Sequence, residues 1–396
     1  MAQIEKTLIV TPPSLLVGMA VASPVALNIF APIMPELTVI FDTSPFTIQL
    51  GFTLYLFTLA IGQLISGPLA DRYGRRPVLI WGFLLHILGC ILGAFATDIW
   101  HLLLARILQA AGGCTGMLLA RSIILDQNNK DSAASKLGYI TLGIASAQAM
   151  APTIGGYLSL AVGWQGVFWL SMILGSLVWL GAIVLLKETT YRDTASFLQS
   201  FNRYSTVLSS CAYIWYALSS TMIACGFFIF ITYAPFVVDE HLLGNSADYG
   251  NWFLFVAGGF WLGSLTSGKI SASVGTQRMM RIGNGLSGFG ALLMLGCFLS
   301  TSINYLTLFI PMACFTFGRG LSQPSAQSAA ILSTSGATAT ATGLQGFFQL
   351  FVGSVAAQAA PLLMAINLIM LPIILVIVVL LAWLFMKFGD KALRGK

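Results

Sequence analysis

The chain has 396 residues, of which 57% are hydrophobic and only 8% are charged. Soluble globular domains carry about 25% charged residues, so this composition excludes an ordinary soluble domain and is typical of a bundle of membrane-spanning helices. The formal net charge is +6. Because the basic residues lie between apolar segments, this charge indicates membrane orientation rather than nucleic-acid binding.

Apolar runs long enough to cross a bilayer follow one another along the chain, since a spanning helix needs roughly 20 apolar residues. The twelve predicted helices cover 12–33, 47–68, 78–97, 101–123, 136–159, 165–186, 209–235, 248–269, 280–300, 303–325, 340–362 and 365–387. A polar interval follows the sixth predicted helix. The predicted domains are an N-terminal six-helix bundle (1–186), a cytoplasmic linker (187–208) and a C-terminal six-helix bundle (209–396).

The basic residues orient this arrangement. With the N-terminus inside, all of the 19 Lys and Arg residues fall on the inner side except Arg106 and Arg319, which lie within predicted helices. The positive-inside rule therefore predicts that both termini are cytoplasmic. Charged residues within a membrane span are costly and are functional candidates by default.

The two halves share short sequence features at corresponding positions. The first predicted helix ends at Ala31-Pro32 and the seventh at Ala234-Pro235, and Gly67 and Gly74 recur as Gly268 and Gly275 at the same spacing. Transporters built from repeated halves place substrate sites near the midplane between them. The sequence therefore predicts an all-α membrane protein made of two pseudo-repeat bundles.

The segment after the second predicted helix carries the most specific motif. Residues 67–77 read GPLADRYGRRP, which resembles the signature G-x-L-a-D-R-x-G-R-R of the major facilitator superfamily. We predict a loop here, in which glycine permits turning and close approach, and in which Asp71 faces the positive start of the eleventh helix near Thr340. The resemblance implies a latch on the cytoplasmic side. Its residues are Gly67, Asp71, Arg72, Gly74, Arg75 and Arg76.

Two further motifs support the resemblance. Arg106 to Gly113 is similar to the second motif of that superfamily, which implies a role for Arg106 in substrate or proton coupling; the alternative is an arginine that snorkels to the interface. The segment Ala151-Pro152-Thr153-Ile154-Gly155-Gly156 resembles its antiporter motif. Proline bends a helix and small residues permit close packing, so Pro152, Gly155 and Gly156 are expected where helices rock against each other.

Residues 20–190 most resemble drug exporters of the bicyclomycin and chloramphenicol resistance (Bcr/CflA) group. That group usually carries an aspartate in its first helix, where this chain has Asn28, and we place no acidic residue at mid-membrane. A proton-coupled carrier needs a titratable group. The remaining candidates are Asp126, which we expect to pair with Arg121, and His86.

The proposed substrate site draws on polar and aromatic residues of the predicted helices. Without a carboxylate in the cavity, a small neutral or anionic amphipathic substrate is easier to accommodate than a cation. The candidates for binding or coupling are Asn28, Tyr55, Arg106, Gln109, Gln148, Tyr233 and Arg319.

The sequence therefore predicts a secondary transporter that exports small amphipathic compounds by alternating access, with proton antiport implied by resemblance. The alternatives are a dedicated metabolite exporter or facilitator and a non-transporting membrane sensor or scaffold. We expect a bacterial inner-membrane monomer embedded in the lipid bilayer. No enzymatic activity, cofactor, metal or nucleic-acid partner is expected.

Overall fold

The computed structural model describes residues 11–127, 130–188, 204–300, 302–334 and 338–394, and the regular structure in those residues is helical. The first three helical elements are α1 (Pro13–Asn28), a 3₁₀ turn (Ala31–Ile33) and α2 (Met34–Ile40). The rest of the N-terminal half comprises α3 (Pro45–Tyr73), α4 (Arg75–Ala94), α5 (Ile99–Gln127), α6 (Lys130–Val162) and α7 (Gly166–Leu185).

The C-terminal half begins after a segment that includes residues 189–203 of the predicted linker, which lie outside the described residues. Its helices are α8 (Cys211–Leu242), α9 (Ser246–Val274), α10 (Thr276–Ser300), α11 (Tyr305–Leu332), α12 (Thr338–Met364) and α13 (Met370–Arg394). Within the described ranges, nine helical segments are long and apolar enough to cross a membrane, judged by length and composition. The all-helical class is confirmed, while twelve crossings and cytoplasmic termini stay predictions.

The two halves repeat the same packing. In the N-terminal half the pairs α1–α5, α1–α6, α1–α7, α3–α5, α4–α5 and α4–α7 are in contact, and in the C-terminal half the corresponding pairs are α8–α11, α8–α12, α8–α13, α9–α11, α10–α11 and α10–α13. The halves meet through α6 with α9 and through α3 with α12. In the repeat α3 corresponds to α9 and α6 to α12, so each of these two contacts is the counterpart of the other. The interface therefore has the symmetry expected of a duplicated bundle.

Two predicted helix ends at prolines are wrong. The first span does not stop at Pro32 but passes through the 3₁₀ turn into α2. Pro35 lies in the first turn of α2, where a backbone N–H has no partner within the helix, so the missing N–H of proline costs nothing. Helix α8 likewise continues through Pro235 to Leu242. A proline inside a helix removes one hydrogen bond, and the surrounding packing tolerates that loss here.

The predicted loop at 67–77 is also wrong. Helix α3 continues to Tyr73, α4 starts at Arg75, and Gly74 alone joins them with a φ of 96°. Gly275 joins α9 to α10 with a φ of 86°. Such positive φ values favour glycine, so the repeated glycine has a conformational cause. Gly67, in contrast, has open space where a Cβ would lie, so close approach does not explain it.

The halves are joined by hydrogen bonds near one end of the bundle, the end that carries Gly163 and is predicted to face outside. Between α3 and α12, Thr53 Oγ1 donates to Gln358 Oε1 at 2.7 Å, and Gln358 Nε2 donates to the Phe46 carbonyl at 2.9 Å. Between α6 and α9, Thr153 Oγ1 donates to the Gly250 carbonyl at 2.7 Å. The structure is therefore closed at this end, which we call the Gly163 end.

Charged side chains cluster at the opposite end, near Gly74. Asp126 lies 2.8 Å from Arg75 Nη1 rather than on the expected partner Arg121, because the start of α4 packs beside the end of α5. The Glu188 carboxylate accepts from the backbone N–H of Arg75 at 2.9 Å and of Arg76 at 3.2 Å. These contacts fix the ends of α4, α5 and α7 to one another.

The C-terminal half has a related cluster at the same end. Asp390, on α13, is buried, lies 3.1 Å from Arg281 Nη2 and accepts a hydrogen bond from the Tyr216 hydroxyl at 2.8 Å. Asp390 thus belongs to a helix end that packs against α8 and α10.

Candidate functional site

Arg106 occupies an enclosed cage between α1, α3 and α5. The residue is 1% exposed. Its Nε donates to the Gly51 carbonyl at 3.0 Å, and Nη1 donates to the Ala26 carbonyl at 2.9 Å and to Oε1 of Gln109. These bonds to protein groups exclude the snorkelling alternative, in which the guanidinium would reach the membrane surface.

Two aromatic rings complete this cage. Cζ of Arg106 lies 4.4 Å from the ring centroid of Phe30 and 4.1 Å from that of Tyr55. An aromatic face attracts a desolvated guanidinium, so the rings supply part of the stabilisation that a carboxylate would otherwise give. The Nη2 atom is buried and has no hydrogen-bond partner among the described residues.

A polar chain extends from the cage across four helices. The Tyr55 hydroxyl lies 2.9 Å from Ser23 Oγ on α1. Gln109 connects the cage to α4. Its side-chain Nε2 donates to Cys90 Sγ at 3.1 Å, and its backbone carbonyl oxygen lies 2.8 Å from His86 Nδ1. His86 is fully buried and its Nε2 has no partner in the described chain. Its role as a proton carrier stays a prediction.

Three other candidates occupy separate positions. Asn28 is buried at the end of α1, where its side-chain amide donates to the Pro24 carbonyl at 2.7 Å. Gln148 is half-buried on α6 and has no hydrogen-bond partner among the residues described. The ring of Tyr233 packs on Phe236 of the same helix, with centroids 6.5 Å apart. Thus the structure brings Tyr55, Arg106 and Gln109 together. Asn28, Gln148 and Tyr233 make no hydrogen bond or ring contact with this group among the described residues.

The second membrane arginine lies in the C-terminal half, near the middle of α11. Arg319 Nε donates to Gln323 Oε1 at 2.8 Å, and Cζ lies 4.4 Å from the ring centroid of Phe227 and 4.8 Å from that of Phe260. Gln323 belongs to a hydrogen-bonded network, because its Nε2 donates to Gln349 Oε1 at 3.2 Å. This cage therefore repeats the design of the first: an arginine lies between rings from the first and second spans of its own half.

The segment that resembles the antiporter motif lies where helices approach each other closely. A Cβ on Gly155 would lie 2.5 Å from the Ile29 carbonyl oxygen, and a Cβ on Gly156 would overlap the Ser246 carbonyl. Ser246 Oγ in turn donates to the Gly156 carbonyl at 3.2 Å. Pro152 lies within α6 one turn earlier. Gly156 therefore permits backbone contact between the halves at the Gly163 end, whereas Gly155 permits close packing within the N-terminal half.

Only some of the latch residues between Gly67 and Arg76 have partners among the described residues. Arg75 and Arg76 bind Glu188 through their backbone N–H groups, and Arg76 Nη2 also donates to the Ile183 carbonyl at 2.8 Å. Asp71 and Arg72 are exposed. Asp71 has no partner among the described residues; residues 335–337, just before the expected partner helix α12, lie outside them. The latch through Asp71 stays a prediction.

Several residues of these cages were missed from the sequence. They are Ser23, Phe30, Phe227, Phe260, Gln323 and Gln349. A signal existed for Gln323, which follows Arg319 by one helical turn. None existed for the aromatic residues, because the chain has 27 phenylalanines and nothing in their spacing marks those that contact an arginine.

Residues 16–357 match the profile of the Major Facilitator Superfamily. The chain belongs to this superfamily. Its repeated helical halves are therefore a major facilitator fold, and its membrane-type helices belong to a multi-pass membrane protein of a transporter family.

Three bacterial relatives place the chain among major facilitators. It is 30% identical over 275 residues to an uncharacterized MFS-type transporter, YdgK, of Bacillus subtilis, covering 67% of this chain and 68% of the relative. A bicyclomycin resistance protein homolog of Haemophilus influenzae is 24% identical over 65% of this chain and 66% of its own length. The multidrug transporter MdfA of Yersinia pestis is 22% identical over 88% and 86%, respectively.

Proposed function

We propose that this protein is a proton-coupled secondary transporter of a bacterial inner membrane that exports small amphipathic compounds. The observation that carries this proposal is the symmetric contact between the halves, α6 with α9 and α3 with α12. Two repeated bundles joined at one end can rock about that contact and open a central site alternately to each side. The relatives named for bicyclomycin resistance and multidrug transport support the substrate range.

The proposed substrate site lies between the two cages, with a neutral or anionic amphipathic compound as its ligand. Both cages present arginine, and no described Asp or Glu forms an ion pair with either one. Arg106 and Gln109 serve the N-terminal side and Arg319 the C-terminal side. A cationic substrate would meet repulsion at both, so we expect it to be excluded.

A dedicated metabolite exporter or facilitator is the second candidate. It is favoured by Asn28, which stands where exporters of the resembled group carry an aspartate and whose amide is already bonded within α1. A chain without that carboxylate has fewer groups through which a proton gradient drives exchange. In that case Asp126 is held in place by Arg75 and serves only the structure.

The experiment is a flux assay in proteoliposomes with an imposed pH gradient. The panel contains chloramphenicol and bicyclomycin as neutral amphipathic compounds, ethidium as a cation and citrate as a metabolite anion. Accumulation of the neutral drugs that depends on the gradient supports drug export. Movement of citrate alone supports the second candidate, and no movement of any compound, with folded protein in the vesicles, contradicts transport of this range.

An Asp126→Asn variant in the same vesicles tests the proton site. If Asp126 carries protons, the variant loses gradient-driven accumulation but keeps exchange of substrate between two equal pools. If it only binds Arg75, both activities fall together or stay unchanged. Arg278→Gln, an exposed charge change on α10, is the matched control.

A further inference from the structure

The two arginine cages differ in one respect that bears on substrate recognition. Every nitrogen of Arg106 is enclosed, and the residue is 1% exposed, whereas Arg319 retains 9% exposure. The Nη atoms of Arg319 have no hydrogen-bond partner among the described residues and are not among the fully enclosed polar atoms. The C-terminal cage therefore holds its guanidinium by Nε and by two rings, and leaves its outer edge unbonded.

An unbonded guanidinium edge has a specific chemical preference. Two parallel N–H groups match the two oxygens of a carboxylate, and such bidentate pairs are stronger than bonds between neutral groups. Near the middle of a membrane helix an uncompensated charge is costly, so an incoming anion gains both the bonds and the neutralisation. In the described chain no acidic side chain is within ion-pair distance of Arg319.

The surroundings of Arg319 offer further hydrogen bonds. Gln323 and Gln349 are joined at 3.2 Å, and Gln349 Nε2 donates to Ser220 Oγ at 2.8 Å. Gln345 lies one turn before Gln349 on the same face of α12 and is 2% exposed, yet neither its amide nitrogen nor its amide oxygen has a partner in the described residues. A buried amide without protein partners is rare in a folded protein, so Gln345 adds unused hydrogen-bonding capacity to this face of α12.

The walls near this network are apolar. Phe227 and Phe260 flank the guanidinium, and on α12 the rings of Phe347 and Phe351 stack with centroids 5.2 Å apart. Phe57 of the N-terminal half packs on Phe351 at 5.5 Å, so this aromatic row reaches the interface between the halves. One cation beside apolar walls matches a ligand with one anionic group and an apolar body.

We propose that Arg319 is the recognition point of the C-terminal half and binds the carboxylate of a monoanionic amphipathic substrate. This inference rests on the proposed transport function and narrows its substrate class from neutral or anionic to anionic. Gln323 acts as a positioning residue, because its bond to Nε fixes the orientation of the guanidinium and leaves the Nη edge for the ligand.

The test is equilibrium binding of three probes that share one apolar body: 4-phenylbutyrate, its neutral amide, and 4-phenylbutylamine. For the purified full chain in detergent we expect the anion to bind at least about tenfold more tightly than the amide, and the amine to bind most weakly. Arg319→Gln should reduce this anion preference to about equal affinity. Arg319→Lys, which keeps the charge but loses the planar fork, should retain only part of it.

Arg278→Gln removes an exposed arginine from the same half and should leave the preference unchanged. Gln323→Leu should weaken anion binding while amide binding stays constant, which a general loss of structure would not do. Equal binding of anion and amide by the wild-type chain, a preference that survives Arg319→Gln, or no binding of any probe would overturn the inference. If one of these contradicting results is found together with gradient-driven efflux of neutral drugs, the proposed transport function stands and only the assignment of Arg319 as an anion site is wrong.

Discussion

The cages around Arg106 and Arg319 have a common plan but lie at different levels of the bundle. Arg106 lies in the first third of α5, toward the Gly163 end where the halves are bonded together, and it is enclosed. Arg319 lies near the middle of α11, away from that junction, and keeps an accessible edge. The comparison teaches that a repeated motif can be fully enclosed in one half and keep an open edge for binding in the other.

The largest effect should come from removing the enclosed arginine. Arg106→Gln deletes donors to the Ala26 and Gly51 carbonyls and leaves both without a charged partner, so we expect a loss of about 3 kcal/mol or more in the free energy of unfolding. Arg319→Gln removes one hydrogen bond to Gln323 and a costly charge, so it should change stability by less than about 1 kcal/mol. Thermal unfolding of both variants in one detergent measures the difference.

Equal destabilisation by the two substitutions would contradict the distinction between an enclosed and an open cage. A greater loss at Arg319 would reverse it. The same preparations can be used for the anion-binding assay, so stability and recognition are measured on identical protein.

The second prediction concerns the contact between α6 and α9 at the Gly163 end. A Cβ on Gly250 would lie 2.6 Å from Thr153 Cα, so Gly250→Ala should force α9 away from α6. Overpacking of this kind costs about 1–3 kcal/mol, here against the closed conformation alone. In a cysteine-free background, spin labels at Val39→Cys and Leu243→Cys, which are 82% and 90% exposed, should show a longer distance between the halves.

Gly258→Ala is the matched control on the same helix, because open space surrounds the position of its Cβ. Its distance distribution should equal that of the labelled parent. A shift produced by both alanines would show that helix propensity rather than the α6–α9 contact controls the equilibrium.

The sequence predicted the repeated plan better than its details. The glycines at 74 and 275 marked the repeat correctly because a positive φ leaves a direct trace in residue choice. The helix ends at Pro32 and Pro235 were wrong, because whether a proline ends or bends a helix depends on its neighbours in space. The same reason explains the loop predicted from residue 67, because Pro68 lies inside α3.

The candidate site shows the same limit. Arg106, Gln109 and Arg319 were predicted because charged or polar residues stand out in apolar helices. Their aromatic partners depend on which helix faces cross, and that information is tertiary. Tyr233 has the residue type expected of a cage, but its ring packs on Phe236 instead.

The smallest effect should come from removing a single hydrogen bond in the second contact between the halves, that of α3 with α12. Thr53→Val keeps the side-chain volume but removes the donor to Gln358, 2.7 Å away between α3 and α12. One such bond contributes about 1 kcal/mol, which corresponds to roughly a fivefold shift toward the open conformation. Thr141→Val, which removes a bond of an exposed threonine within α6, is the control. The pair of spin labels should report a minor longer distance for the first variant and none for the second. An unchanged distribution for Thr53→Val would contradict a contribution of this bond, and would mean that the other contacts of the junction, such as Gln358 with Phe46 and α6 with α9, are enough to hold the Gly163 end closed.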